Sequence, residues 1–250
     1  MTQRKDPRDE SESSGHFRNR GKETTRLEAF VDAAFAFALT LLVISFDAVP
    51  QSFEELTDAL KAVPAFLFAA CILVSFWIAH RNWSNRFGLD TTFATLVSLA
   101  LIFTLLVYVY PLRAMSTAAI SAMTNGWIPS EFSITSIAEV RGLFTIYGVG
   151  FAISNLYIVL LNWHAFKRAD SLALTAEERH LTKQEMLAWA IVGGFGLLST
   201  VLALTLPDRL IGFAGWIYMG LAVVMPTFGV ISSRQFRERF PENDQGRSGL

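Results

Sequence analysis

Charge is what this chain has least of: Asp, Glu, Lys and Arg make up only 17% of its 250 residues, against about 25% in an ordinary soluble domain. A water-exposed globule of this size would lack the polar surface to cover itself. Cysteine is nearly absent, and the single Cys71 excludes an internal disulfide framework and any cysteine-based zinc site. The formal net charge is −1 and the sequence pI near 6.4, so the basic excess of a nucleic-acid-binding protein is also missing. Of the four histidines, His16, His164 and His180 fall in tails or loops and form no ligand cluster, and no metal or cofactor is expected. What is abundant is apolar: 52% hydrophobic residues, with 21 Phe. The composition is that of a membrane protein.

Uncharged runs near the length of about 20 residues that crosses a bilayer occur at Val63–Ala79, Thr91–Leu112, Gly142–Trp163, Met186–Pro207 and Leu210–Ser233. A sixth, Ala29–Phe46, is apolar except for Asp32 and ends at a break marked by Asp47 and Pro50. It contains an acid and lacks a small-x-small cleavage site, so it reads as a span rather than a signal peptide. The expected fold is therefore all-α, a polytopic membrane protein with six transmembrane helices. Basic residues support the count independently. The termini and the connections containing Arg81–Arg86 and Lys167–Lys183 hold 17 of the 21 Lys and Arg, whereas the opposite side holds only Lys61, Arg113, Arg141 and Arg209. Both termini should be cytoplasmic, in a cell membrane.

Residues 1–24, rich in Ser, Gly, Arg, Asp and Glu, read as a disordered cytoplasmic tail. Residues 25–235 form the six-helix domain and 236–250 a second cytoplasmic tail. Thr175-Ala-Glu-Glu178 is a capping box and predicts a helical lead into the fifth span. The longest external connection, Arg113 to Arg141, contains an Asn125-Gly126 turn signal. Gly193, Gly194 and Gly196 lie inside an apolar helix, where close helix packing is their expected use. No counterpart of Asp32 or matched pair of broken helices occurs in the second half, which counts against an inverted-repeat transporter.

Asp32 needs an explanation, because an acid inside a spanning helix costs roughly 2.5–3.5 kcal/mol on insertion scales. It can be a tolerated near-interface acid, a structural partner for a donor on another helix, or an ion or proton site. At about 100° per residue, Phe37, Thr40, Leu41 and Ile44 fall within about 60° of one another's mean direction, while Asp32 lies about 140° from Phe37. Arg26 stands about 120° round from Asp32, a poor position for a direct bridge. Trp77 and His80, three residues apart in the second span, share a face at similar depth and can offer ring N–H groups to the carboxylate. For His80, a proton-accepting or ligating role is the alternative.

The stretch Arg26-Leu-Glu-Ala-Phe30-Val31-Asp32, followed by Ala33-Ala-Phe-Ala-Phe37-Ala-Leu-Thr40-Leu41-Leu-Val-Ile44, resembles the first-helix signature of the Transmembrane protein 175 potassium channel family. Phe76-Trp77-Ile-Ala-His80-Arg81 resembles that family's Trp-x-x-His pattern, and Tyr110-Pro111 and the charged loop after Trp163 also fit. The resemblance covers most of residues 25–235. It implies a non-classical homotetrameric cation channel, six helices per chain, embedded in the lipid bilayer and passing potassium ions. It further implies a pore lined by the first helix and constricted by rings of Phe37, Leu41 and Ile44, with Thr40 beside them and Arg26, Asp32, Trp77 and His80 as a structural polar network. Val31 stands where the family usually has Ser, and Phe37 where a smaller side chain is usual.

No Thr-Val-Gly-Tyr-Gly filter is present, so rings of backbone carbonyls cannot supply selectivity, and apolar rings would act through size and dewetting. The other reading is a proton- or ion-coupled transporter using Asp32 and His80. An enzyme is not expected, since neither a paired catalytic carboxylate nor a nucleophile–base pair is present.

Overall fold

The computed structural model describes residues 13–14, 17–21, 24–44, 51–128, 130 and 134–241, excepting the side chains of residues 13, 14, 44 and 58. Its helices are α1 (Arg26–Ile44), α2 (Phe53–Lys61), α3 (Val63–Phe87), α4 (Thr92–Met123), α5 (Ile137–Lys167), α6 (Ala176–Thr205), α7 (Phe213–Trp216) and α8 (Leu221–Arg239). Short 3-10 turns at Asp208–Leu210 and Ile217–Gly220 make 208–239 a nearly unbroken helical segment. Two two-residue strands, Ser13–Ser14 and Phe17–Arg18, pair antiparallel before α1. Five of these segments, α3 to α6 and 208–239, are long and apolar enough to cross a membrane, and α1, with 19 residues, is the sixth.

Hydroxyl side chains start most of the long helices. Thr25 Oγ1 accepts from the Glu28 amide at 3.1 Å while Glu28 Oε2 accepts from the Thr25 amide at 2.7 Å, a capping box that opens α1. The box expected at Thr175 is present too, with reciprocal bonds of 3.2 and 2.9 Å to Glu178, and α6 starts ten residues before its apolar run. Thr91 and Ser136 cap α4 and α5. Gly88, in the left-handed region at φ 54°, closes α3.

The long external connection expected at Arg113–Arg141 is shorter than the hydropathy suggests. α4 continues through Pro111 and Arg113 to Met123, giving 32 residues, or about 48 Å against a hydrocarbon core of about 30 Å. A charge ends an apolar run, but it does not end a helix. The segment after Pro111 is rich in Ala and Met, which favour helix, and it buries Leu112, Met115 and Ser116. The chain turns at Asn125 and Gly126, whose φ values of 50° and 81° lie in the left-handed region. α2 lies in a stretch read as a connection. α8 runs on to Arg239, so the C-terminal tail begins later than residue 236, and residues 242–250 lie outside the described residues.

α1 packs on α3 and α4, α4 on α5, and α5 on α6, while α6 carries α7 and α8. One continuous core joins Val31, Phe35, Ala38 and Leu42 of α1 to Leu73 and Phe76 of α3 and Leu101 and Leu105 of α4. The α5–α6 contact uses two of the three glycines singled out in α6. A Cβ on Gly196 would stand 2.6 Å from the Gly148 carbonyl and one on Gly193 2.9 Å from Asn155 Cβ, whereas Gly194 faces no neighbour within 4 Å.

Part of the tail expected to be disordered is ordered. Phe17 is buried, edge-on to Phe87 at 6.0 Å, with the Arg86 guanidinium over its ring. The amides of Arg20 and Gly21 both donate to the Asn85 carbonyl at 3.0 Å. Arg20 also grips the buried Glu178 carboxylate through two bonds of 2.9 and 2.7 Å and donates to the Leu172 carbonyl. Composition averaged over the tail hides these few residues, which find enough burial and bonding to offset their ordering entropy. Residues 1–12 of that tail lie outside the described residues.

Candidate functional site

α1 divides into two faces. Val31, Phe35, Ala38 and Leu42 recur every three to four residues and are all buried against α3 and α4. On the other side Phe30, Ala33, Phe37 and Thr40 are exposed, Phe37 by 54%. Leu41 is half-buried at the edge of this arc. Ile44 is the last residue of α1, and its side chain lies outside the described residues. The Thr40 hydroxyl donates back to the Ala36 carbonyl at 2.9 Å, so its proton is spent within the helix and its oxygen lone pairs remain on the uncovered face.

The polar residues sort differently. Trp77 Nε1 donates to Asp32 Oδ1 at 2.7 Å, joining α3 to α1. The guanidinium of Arg81 lies 5.3 Å from the Trp77 ring centroid, so the same indole meets an anion at its edge and a cation over its face. His80, only 3% exposed, bonds through Nε2 to Ser98 Oγ at 2.9 Å on α4 rather than to Asp32. Arg26 is exposed in the first turn, and among the described residues no bond joins it to Asp32. It lines an open groove with Phe30, Asp90, Thr95 and Leu99. Glu28, which sequence reasoning passed over, accepts from the Ser84 hydroxyl as well as closing its capping box. The Thr25-to-Glu28 spacing, identical to that of Thr175 and Glu178, was the signal for it. Among the described residues no cluster of three or more His, Cys, Asp or Glu could hold a metal ion.

Residues 26–111, which include both faces of α1, Asp32, Trp77 and His80, match the family model described as the endosomal/lysosomal potassium channel TMEM175. A protein named potassium channel from Marivirga tractuosa is 32% identical over 230 residues, covering 89% of this chain and 93% of the relative. The chain belongs to the TMEM175 potassium channel family. A crystal structure of a variant of the potassium channel MtTMEM175, bound to a nanobody–MBP fusion, superposes on it with a TM-score of 0.76 at 31% identity, covering 89% of this chain and 99% of that one. The helical TMEM175 fold expected from the sequence is thus the fold observed, with only the short N-terminal strand pair beside the helices, and the six apolar helices make this chain a membrane protein.

Proposed function

We propose that four copies of this TMEM175-family chain surround a pore lined by α1, through which potassium ions cross a cell membrane. The observation that carries the reading is the division of α1: its buried stripe is satisfied within the chain, and the face bearing Phe37 and Thr40 is left uncovered. A four-fold arrangement brings those faces to one axis. Phe37, Leu41 and Ile44 then form stacked apolar rings with Thr40 between them, and Phe37 is the bulkiest.

Such a ring holds no ligand for an ion, so it acts on hydration. An apolar constriction expels water, and an ion passes only by shedding part of its shell, which costs potassium less than sodium. A Phe face could attract a partly dehydrated cation by roughly 0.5–2 kcal/mol, but this is small against the dehydration cost, so the Phe37 ring closes the resting pore. The Asp32–Trp77 bond holds α1 against α3 and keeps the acid off the axis. The 17-to-4 distribution of basic residues supports a cytoplasmic position for both termini and for the start of α1.

Potassium flux into liposomes tests the reading. Phe37→Ala should raise flux about tenfold or more at matched protein density, since opening an apolar gate removes at least about 1.4 kcal/mol of barrier. Equal flux from the two proteins would remove Phe37 from the pore.

A further inference from the structure

The three charged residues of α1 are not distributed evenly around it. Taking Phe37 as the pore direction, Arg26 lies 11 residues earlier and about 20° away, and Phe30 about 20° to the other side. Glu28 and Asp32 lie about 180° and 140° away. The contacts agree with this geometry: Glu28 is half-buried and bonded to Ser84 and Thr25, and Asp32 is bonded to Trp77, whereas Arg26 is exposed beside the exposed Phe30. Both acids are tied to side chains of α3, Glu28 half-buried and Asp32 still exposed at the edge of the packed face, and the cation stands on the uncovered face.

We infer that Arg26 forms a ring of four fixed positive charges at the cytoplasmic mouth of the pore and makes conduction asymmetric, admitting potassium less readily from the cytoplasm than from outside. The inference rests on the proposed α1-lined pore and adds a charge that the apolar rings do not explain. A guanidinium is a permanent cation under physiological conditions. The amino end of α1 points the same way and adds the positive pole of its helix dipole. Asp90 lines the same groove from the connection before α4 and partly offsets the ring from behind. The ring lowers the local cation concentration at one entrance only. Outward current falls while inward current is little changed.

Salt supplies the test. Screening is weak in roughly 10 mM salt, where the Debye length is about 30 Å, and strong near 1 M, where it is about 3 Å. In excised patches of known sidedness with equal potassium on both sides, wild-type inward current should exceed outward current at low salt, and the ratio should approach one at high salt. Arg26→Gln should raise outward current roughly two- to threefold at low salt and leave inward current unchanged, as expected for a lost repulsive charge at an entrance. Arg26→Lys should preserve the asymmetry, and Asp90→Asn should deepen it. A wild-type current ratio that does not depend on salt overturns the inference, and this measurement needs no variant to fold. So does an unchanged ratio in Arg26→Gln, or an asymmetry that vanishes in bilayers of uncharged lipid. If Phe37→Ala raises flux while the Arg26 variants do nothing, the mouth ring fails and the pore stands; if Phe37→Ala also does nothing, the pore itself fails.

Discussion

The two faces of α1 carry the same kind of residue and do opposite things. Phe35 and Phe37 are two residues apart on one helix, yet Phe35 is 4% exposed and Phe37 54%. Neither propensity nor hydropathy distinguishes them. What differs is azimuth: Phe35 falls about 160° from Phe37, in the stripe with Val31, Ala38 and Leu42 that fills the space between α3 and α4. In a membrane an apolar side chain gains little by leaving lipid, so its role is decided by what packs on it. A face that packs on nothing within its own chain is available for assembly or for a conduction path.

The sharpest way to break this comparison is to truncate both rings. Phe35→Ala should destabilise the folded protein by about 3–5 kcal/mol, the usual cost of a buried Phe-to-Ala cavity, and lower the midpoint of thermal unfolding in detergent. The same change at Phe37 should leave that midpoint nearly unaltered and change flux instead. Matching thermal shifts for the two variants would mean that both faces are packed and that α1 lines no pore.

The N-terminal strap ties the chain just before α1 to the C-terminal end of α3 and the first turn of α6. Removing one partner of a buried ion pair leaves the other charge unpaired, at a cost of about 3 kcal/mol or more. Arg20→Ala should therefore expose the strap to protease and lower stability, because Glu178 is 1% exposed and loses both guanidinium bonds. Potassium-over-sodium preference should survive in the folded fraction. A selectivity change without loss of stability would place the strap in the conduction machinery instead.

Asp32 stands between the two faces. Its bond to Trp77 joins two membrane-protein helices, where such side-chain bonds contribute about 0.6–2 kcal/mol. Asp32→Asn keeps an acceptor oxygen but loses the charge; Trp77→Phe loses the donor. Both should reduce the yield of assembled protein by size-exclusion chromatography, Trp77→Phe the more, with ion preference nearly unchanged. Full yield with altered preference would put Asp32 on the conduction path.

How much of this could be read from the amino acids alone depends on the range of the signal. Helix starts are local, so the box at Thr175 and Glu178 was legible, as was the turn at Asn125 and Gly126. The Trp77–Asp32 contact was reachable because two sequence-adjacent spans had only to lie antiparallel at matched depth. His80 shares that face, but Ser98, on the following helix, supplied its partner, and nothing in the spacing of Trp77 and His80 reveals which of two neighbours a ring will meet. The strap was hidden for the opposite reason. Phe17 and Arg20 act through contacts with Phe87 and Glu178, about 70 and 158 positions away, inside a stretch whose average composition argues for disorder. The extension of α4 beyond Pro111 was missed because a hydropathy run measures membrane thickness, not helix length.

The smallest effect should come from the exposed face itself, at Thr40. Its hydroxyl proton is committed to the Ala36 carbonyl, so what it can present toward an axis is an oxygen acceptor. Four such oxygens beside the apolar rings would replace a little of the water that an ion sheds there. Thr40→Val keeps the shape, removes the acceptor and frees the Ala36 carbonyl of its second donor; it should leave stability unchanged. Potassium-over-sodium preference, measured as reversal potential under bi-ionic conditions, should fall by about two- to fivefold, the worth of roughly 0.5–1 kcal/mol of ion contact. Thr40→Ser, which retains the oxygen, should restore most of it. In the proposed pore the apolar rings would still supply the dehydration cost, so total flux in Thr40→Val should change less than in Phe37→Ala. Identical reversal potentials for Thr40→Val and the parent protein would confine selectivity to the rings and leave Thr40 as filler on an otherwise apolar face.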